Sequence, residues 1–167
     1  MDNLSKLVNS GLTFENEYFI VKEDVASIDL TYEINYKPIG SENNQFKGHF
    51  NGTGTNFNVN LSGNDFQGLF GYLGENGVIE NLSVSGSIKG KDYVGSIVGI
   101  NDGIIQNVYT TANVSGNNYT GGIVGINNGN VNNVYAISEI MGNEFVGGLI
   151  GTNTGTLENV YSISSVF

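Results

Sequence analysis

One histidine, His49, sixteen acidic side chains and no cysteine are the stock from which this 167-residue chain could build a catalytic or metal site. A lone histidine between Gly48 and Phe50 cannot hold zinc without further nitrogen or sulfur ligands. No Ser-His-Asp or Cys-His set assembles around it. A glycosidase needs only two carboxylates, held about 5–10 Å apart. Glu80 and Glu158 occupy one repeat position but lie three repeats apart, roughly 14 Å at the spacing of stacked strands. Asp92 and Glu144 lie two repeats apart, near 10 Å, and Asp65 falls in a different turn. The expectation is a protein that is not an enzyme, with no catalytic, cofactor or metal residues. The oxygen-rich turn Asn101-Asp102-Gly103 gives calcium as a secondary reading only, because the following turns, Asn127-Asn128 and Asn153-Thr154, do not repeat the acid.

Those residues sit on a repeat. Phe66-Gln-Gly-Leu-Phe-Gly71, Tyr93-Val-Gly-Ser-Ile-Val-Gly99, Tyr119-Thr-Gly-Gly-Ile-Val-Gly125 and Phe145-Val-Gly-Gly-Leu-Ile-Gly151 are one phrase. A second phrase follows each: Ile79-Glu-Asn-Leu82, Ile105-Gln-Asn-Val108, Val131-Asn-Asn-Val134 and Leu157-Glu-Asn-Val160. Asn81, Asn107, Asn133 and Asn159 recur every 26 residues, as do Ile88, Val114, Ile140 and Val166. A fixed period of this size marks a stacked repeat.

The segments inside the period are short, β-branched and aromatic, and are bounded by glycine or asparagine. Proline, which removes a ladder hydrogen bond, occurs once. Twenty-six residues accommodate about three short strands and three turns, one circuit of a coil. The fold class is therefore all-β, a single-stranded β-solenoid with 26-residue circuits, expected to be a right-handed β-helix with an N-terminal cap. Leu69, Ile97, Ile123 and Leu149 form one column of like residues. Ile79, Ile105, Val131 and Leu157 form another, and Leu82, Val108, Val134 and Val160 a third. Phe66, Tyr93, Tyr119 and Phe145 form an aromatic column, read with these as layers of the interior.

The asparagines at 81, 107, 133 and 159 are expected to form a structural amide ladder. The glycine pairs at 121–122 and 147–148 are expected to supply positive φ or close backbone approach. Tyr109, Tyr135 and Tyr161 make an exposed column that packs against itself or offers a ligand face to sugar rings.

Residues 1–45 are read as the capping region, 46–65 as a degenerate first circuit and 66–167 as the repeats. Asp2 to Gly11 predicts a short helix capped by Asp2 or Asn3, with Leu4, Leu7 and Val8 on one face. Strands are expected at Tyr18–Lys22 and Ser27–Tyr32, and the two pieces Phe46–Gly52 and Phe57–Leu61 are read as the degenerate first circuit. A solenoid needs such a cap, because an open strand edge is a template for aggregation.

Six lysines and no arginine against sixteen acids give a net charge of −10. Nucleic acid is excluded as an expected partner, because it requires clustered cations. No apolar run is long enough for a bilayer-spanning helix, so direct membrane insertion is not expected. The first residues lack a basic and apolar leader, and the sequence stops within a repeat, so a fragment without its signal peptide is expected.

The repeat resembles the GLUG motif, named for a Gly-Leu-any-Gly core. That core stands here as Gly68-Leu-Phe-Gly71, Gly122-Ile-Val-Gly125 and Gly148-Leu-Ile-Gly151, within a resemblance covering roughly residues 28–167. Ile28-Asp-Leu30, Pro38-Ile-Gly40 and Phe46-Lys-Gly-His-Phe-Asn-Gly52 resemble the segment that leads into such repeats. GLUG repeats occur in exported bacterial proteins, including immunoglobulin-A-cleaving metallopeptidases and adhesin-like wall proteins. Their zinc-binding His-Glu-x-x-His motif has no counterpart here, so no catalytic residue carries over. The resemblance implies a non-catalytic module at a bacterial surface or outside the cell, acting in adhesion or as a rigid spacer, with a protein or glycan as its surface ligand. The alternatives are end-to-end self-association into filaments through an open C-terminal edge, and a carbohydrate-binding module.

Overall fold

The computed structural model describes residues 1–33 and 36–167; Ile34 and Asn35, inside the expected capping region, lie outside the described residues. One helix, α1 (Asp2–Asn9), precedes β1 (Tyr18–Ile20), β2 (Ser27–Asp29) and a long β3 (His49–Ser62). The next circuits contribute β4 (Phe70–Leu73) and β5 (Val78–Lys89), then β6 (Asp92–Val94), β7 (Val98–Asn101), β8 (Ile104–Thr110) and β9 (Asn113–Ser115). They are followed by β10 (Asn118–Gly121), β11 (Val124–Asn127), β12 (Asn130–Ala136) and β13 (Glu139–Met141). The last are β14 (Glu144–Gly147), β15 (Ile150–Asn153), β16 (Thr156–Ser162) and β17 (Ser165–Val166).

These strands coil into a β-solenoid of about five turns. Each full repeat carries four strand segments rather than the expected three, distributed over three parallel sheets. One face stacks β4, β7, β11 and β15, and a second stacks β6, β10 and β14. The largest sheet runs through β3, β5, β8, β12 and β16, with β9, β13 and β17 beside them. β5 is one continuous strand that pairs with both β8 and β9. The later circuits break at this point; in the first of them the Thr110 hydroxyl donates to the Val84 carbonyl at 3.0 Å and accepts from the Ala112 amide at 3.1 Å where the chain turns.

The register is the 26-residue period made physical. Val134 pairs with Val108 and Val160, and Val108 with Leu82. Leu69, Ile97 and Ile123 are fully buried, as are Ile79 and Ile105. A buried column of constant type lets each layer repeat the packing of the last, and every backbone group inside finds a partner in the circuit above or below.

The aromatic column lies elsewhere than expected. Phe66, Tyr93 and Tyr119 are half-buried and Phe145 is exposed, so the four rings form a ladder on the outside of the coil. Each of the four sits in the left-handed region, with φ between 53° and 60°. There the backbone turns a corner and the side chain is thrown outward; stacking on its neighbours at 4.8–5.2 Å offsets the strain. The glycines at 121–122 and 147–148 do not take positive φ. Close approach is what they provide: a Cβ on Gly122 would stand 2.4 Å from the Gly148 carbonyl oxygen.

The N-terminal third closes the first circuit. β1 and β2 pair in parallel with β3, Tyr18–Ile20 alongside residues 49–51 and Ser27–Asp29 alongside residues 56–58 of its outer edge. Phe19, Phe46, Phe70, Phe50 and Phe57 make a continuous chain of ring contacts, with centroids 5.4–6.1 Å apart, under this lid. β3 is one bulged strand rather than the two expected pieces, and β1 and β2 are shorter than read. In α1, Val8 is buried, but Leu7 is exposed, because the helix packs through Ser5 and Asn9, which donate to the carbonyls of Lys37 and Pro38. Neither Asp2 nor Asn3 caps the helix: Met1 is the N-cap, and Asp2 lies inside the first turn, bonded to Lys6.

Candidate functional site

The polar face of the coil is built at the second phrase of the repeat. Asn81, Asn107, Asn133 and Asn159 all have φ between 52° and 55°. Asparagine is the side-chain-bearing residue that tolerates this conformation best. One such residue in mid-strand kicks the amide outward while the flanking aliphatics stay buried around Asn81, Asn107 and Asn133; in the last circuit Leu157 is exposed and Val160 half-buried, so that end of the column is not interior. Asn133 Nδ2 donates to Asn107 Oδ1, Asn107 Nδ2 to Asn81 Oδ1, and Asn81 Nδ2 to Asn51 Oδ1, each at 3.2 Å. The ladder therefore reaches one circuit further than the sequence pattern, into the degenerate first turn. Asn159 shares the φ, at 52°, and stands beyond the last of these bonds.

Two residues on in the same strands, Tyr109, Tyr135 and Tyr161 point outward. Their rings stack face to face at 4.9 and 5.2 Å, with interplanar angles of 4° and 7°. Of the two arrangements expected for this column, packing against itself is the one its rings adopt, each inner face being covered by the next ring. Burial, then the neighbouring hydroxyls of Tyr109 and Tyr161, raises the Tyr135 phenol above its ordinary value. The stack stops at Tyr109, because the residue in register one circuit earlier is Ser83. A shallow, open cleft of about 530 Å³ lies beside Tyr109, lined by Asn51, Thr53, Gly54, Asn81, Leu82, Asn107 and Tyr109; Ser83 itself is buried and does not line it. The wall of the cleft is a bulge: Asn51 pairs with Glu80 and Thr55 with Leu82, so residues 52–54 stand opposite Asn81 alone.

Next to the ladder, His49 is a strand residue rather than the loop histidine its glycine and aromatic neighbours suggest. Its Nε2 lies 2.6 Å from Glu80 Oε1, and the other carboxylate oxygen accepts from Gln106 Nε2 at 2.7 Å. Tyr18 of the cap lies over the imidazole at 4.5 Å. Burial pushes the Glu80 carboxyl up, but the hydrogen bonds from Gln106 and His49 and the His49 charge outweigh it and hold the group below its ordinary value. Glu158, in the same register column, is not part of this cluster.

A second amide ladder escaped the sequence reading. Asn101 Nδ2 donates to Asn127 Oδ1 at 2.6 Å, and Asn127 Nδ2 to Asn153 Oδ1 at 2.7 Å. Asn101 and Asn127 are fully buried, and their side chains also bind the backbone of Gly103 and Gly129. The signal was the 26-residue recurrence of Asn-x-Gly, which reads as a surface turn. The Asp102 carboxylate accepts from the Tyr72 hydroxyl and the Asn128 amide, both at 2.8 Å, so its oxygens are engaged. Among the described residues no three His, Asp or Glu side chains gather as a metal site.

The fold and its ladders define the class, a β-solenoid whose outward polar and aromatic side chains are tied to their equivalents in neighbouring circuits. No family model matches the chain, and no solved structure matches it. The chain is 34% identical, over 113 residues, to a protein of Evansella cellulosilytica provisionally named a Gly-rich membrane protein. The match takes in 60% of this chain and 12% of that protein's length. No helix among the described residues is long and apolar enough to cross a membrane.

Proposed function

We propose that this solenoid is a non-catalytic module of a bacterial cell-surface or secreted protein, and that it works chiefly as a rigid spacer. The observation that carries the reading is the unbroken register: from β5 to β17, equivalent residues pair in parallel without a slip. Rigidity follows because no circuit can bend without breaking its ladders to both neighbours at once. Of the side chains with the chemistry to act on a substrate, His49 and Glu80 are bonded to each other and the Asp102 carboxylate is engaged by Tyr72 and Asn128. The GLUG resemblance and the name of the longer relative support a place at the cell surface.

Antibodies raised against the folded solenoid should stain intact cells of the producing organism. Staining that appears only after permeabilisation overturns the surface reading. Force spectroscopy on the purified protein, held through its termini, should show resistance followed by circuit-by-circuit release; extension at forces typical of unstructured chain overturns the spacer.

The filament alternative is weaker. Head-to-tail growth would need an open strand edge at both ends. The outer edge of β3 is occupied by β1 and β2 at residues 49–51 and 56–58.

A further inference from the structure

The tyrosine stack ends beside an open cleft, and the residue in register before Tyr109, Ser83, is itself buried and lies outside the lining of that cleft. Apart from Asn107 and Tyr109 itself, the residues lining the cleft belong to earlier circuits. The ring face bordering the cleft is therefore the one turned away from Tyr135. Exposure agrees: Tyr135, stacked on both sides, is half-buried, whereas Tyr109 is 40% exposed.

Above this face the walls are amides. Asn81 and Asn107 each spend one N–H and one carbonyl lone pair on the ladder. A primary amide has two N–H groups and two acceptor sites, so each keeps a donor and an acceptor for solvent or ligand. Asn51 lies at the foot of the ladder, its Oδ1 accepting from Asn81 and from the Thr53 amide. Gly54, at φ 86°, forms the tip of the bulge, with open space where a Cβ would be. No charged side chain lines the cleft.

We infer that this cleft is a binding site for one neutral sugar ring. A pyranose has an apolar C–H face that packs on an aromatic ring, and equatorial hydroxyls that each need a donor and an acceptor. The Tyr109 face and the Asn81 and Asn107 amides supply that combination. An aromatic ligand would cover the ring but leave the amides unanswered. An acidic sugar would meet a protein of net charge −10 with no cation in the site. The site is independent of the spacer role; a spacer with this site would also hold a glycan at one fixed height along the coil.

The test is an NMR titration of the isotopically labelled protein with glucose, mannose, galactose and N-acetylglucosamine, and with their short unbranched oligomers. At least one sugar should give saturable shifts at the Asn81 and Asn107 side-chain amides. Ser83→Tyr places a ring in register with Tyr109, at a position buried in the parent, from which it must emerge over the Tyr109 face, and in a folded variant should weaken binding by about tenfold or more. Ser83→Ala removes the hydroxyl that donates to Asn56 Oδ1 but adds no bulk beside Tyr109, and should bind as the parent does. Tyr109→Ala should lose binding as well, and a dispersed amide spectrum in either blocking variant suffices to read the result. No saturable shift with any of these sugars overturns the site, as does undiminished binding by folded Ser83→Tyr. Saturable binding of phenol, lost in Ser83→Tyr, with no response to sugars, overturns the sugar assignment and leaves an aromatic-ligand cleft. None of these outcomes touches the location or mechanical tests of the spacer.

Discussion

Asn107 donates from Nδ2 to Oδ1 of Asn81, one circuit earlier, at 3.2 Å, and the two residues share the left-handed backbone at φ 53° and 55°. The side chain thus meets two demands at once, a conformation few residues accept and a hydrogen bond to each neighbouring circuit. Replacing it separates them. Asn107→Ala loses the bonds to Asn81 and Asn133 and keeps a Cβ at positive φ, and should cost about 2–4 kcal/mol. Asn107→Gly loses the same bonds but relieves the strain, and should cost about 1–2 kcal/mol less than the alanine variant. Urea unfolding followed by circular dichroism measures both. Equal losses would mean that the backbone conformation contributes nothing to the choice of asparagine.

Acid should weaken the joint between cap and coil through Glu80. Its carboxyl is held below the ordinary value of 4.5 in the folded protein. The stabilisation is therefore present above pH 4.5 and is lost as the pH falls through the lower, folded value. Glu80→Gln removes this titration, so its melting temperature should fall less steeply than that of the parent between about pH 5 and pH 3. Parallel acid limbs for the two proteins would remove Glu80 from the account of acid stability.

Tyr135 has a ring on either side, whereas Tyr161 stacks on Tyr135 alone and is 55% exposed. Tyr135→Ala removes two stacking contacts and should cost about 1–3 kcal/mol; Tyr161→Ala removes one and should cost about half as much. Thermal melts of the two variants order them. A Tyr161 loss as large as that of Tyr135 would show that something other than ring stacking is at work.

Glycine at 122 is there for space. A Cβ added to it would meet the Gly148 carbonyl oxygen at 2.4 Å and the Ala136 side chain at 3.0 Å. Backbone cannot swing aside as a side chain does, so Gly122→Ala should destabilise by about 2–4 kcal/mol or prevent folding. Gly54→Ala meets nothing within 4 Å and carries only the strain of φ 86°, at about 1–2 kcal/mol. The two variants, compared by denaturant unfolding, separate crowding from conformation, and a reversed order would contradict the packing described for the circuit corner.

The sequence by itself determined the coil, its 26-residue period and the buried columns. Those features rest on like residues recurring at fixed spacing, and recurrence needs no coordinates to be seen. The ladder residues at 81, 107 and 133 were legible for the same reason, whereas Asn159, of the same period, makes no ladder bond among the described residues. Orientation was not. Phe66, Tyr93, Tyr119 and Phe145 are apolar and periodic, as core residues are, yet positive φ at each turns the ring outward. Asn101 and Asn127 are polar and look like turn residues, yet they are fully buried because their amides satisfy one another and the turn backbone. Only the tertiary structure decided the site. The bulge at residues 52–54, the serine that interrupts the tyrosine column and the bond from His49 to Glu80 all join a circuit to one whose sequence departs from the repeat. Periodicity is silent where the repeat is broken, because what meets what there depends on the path of the chain in space.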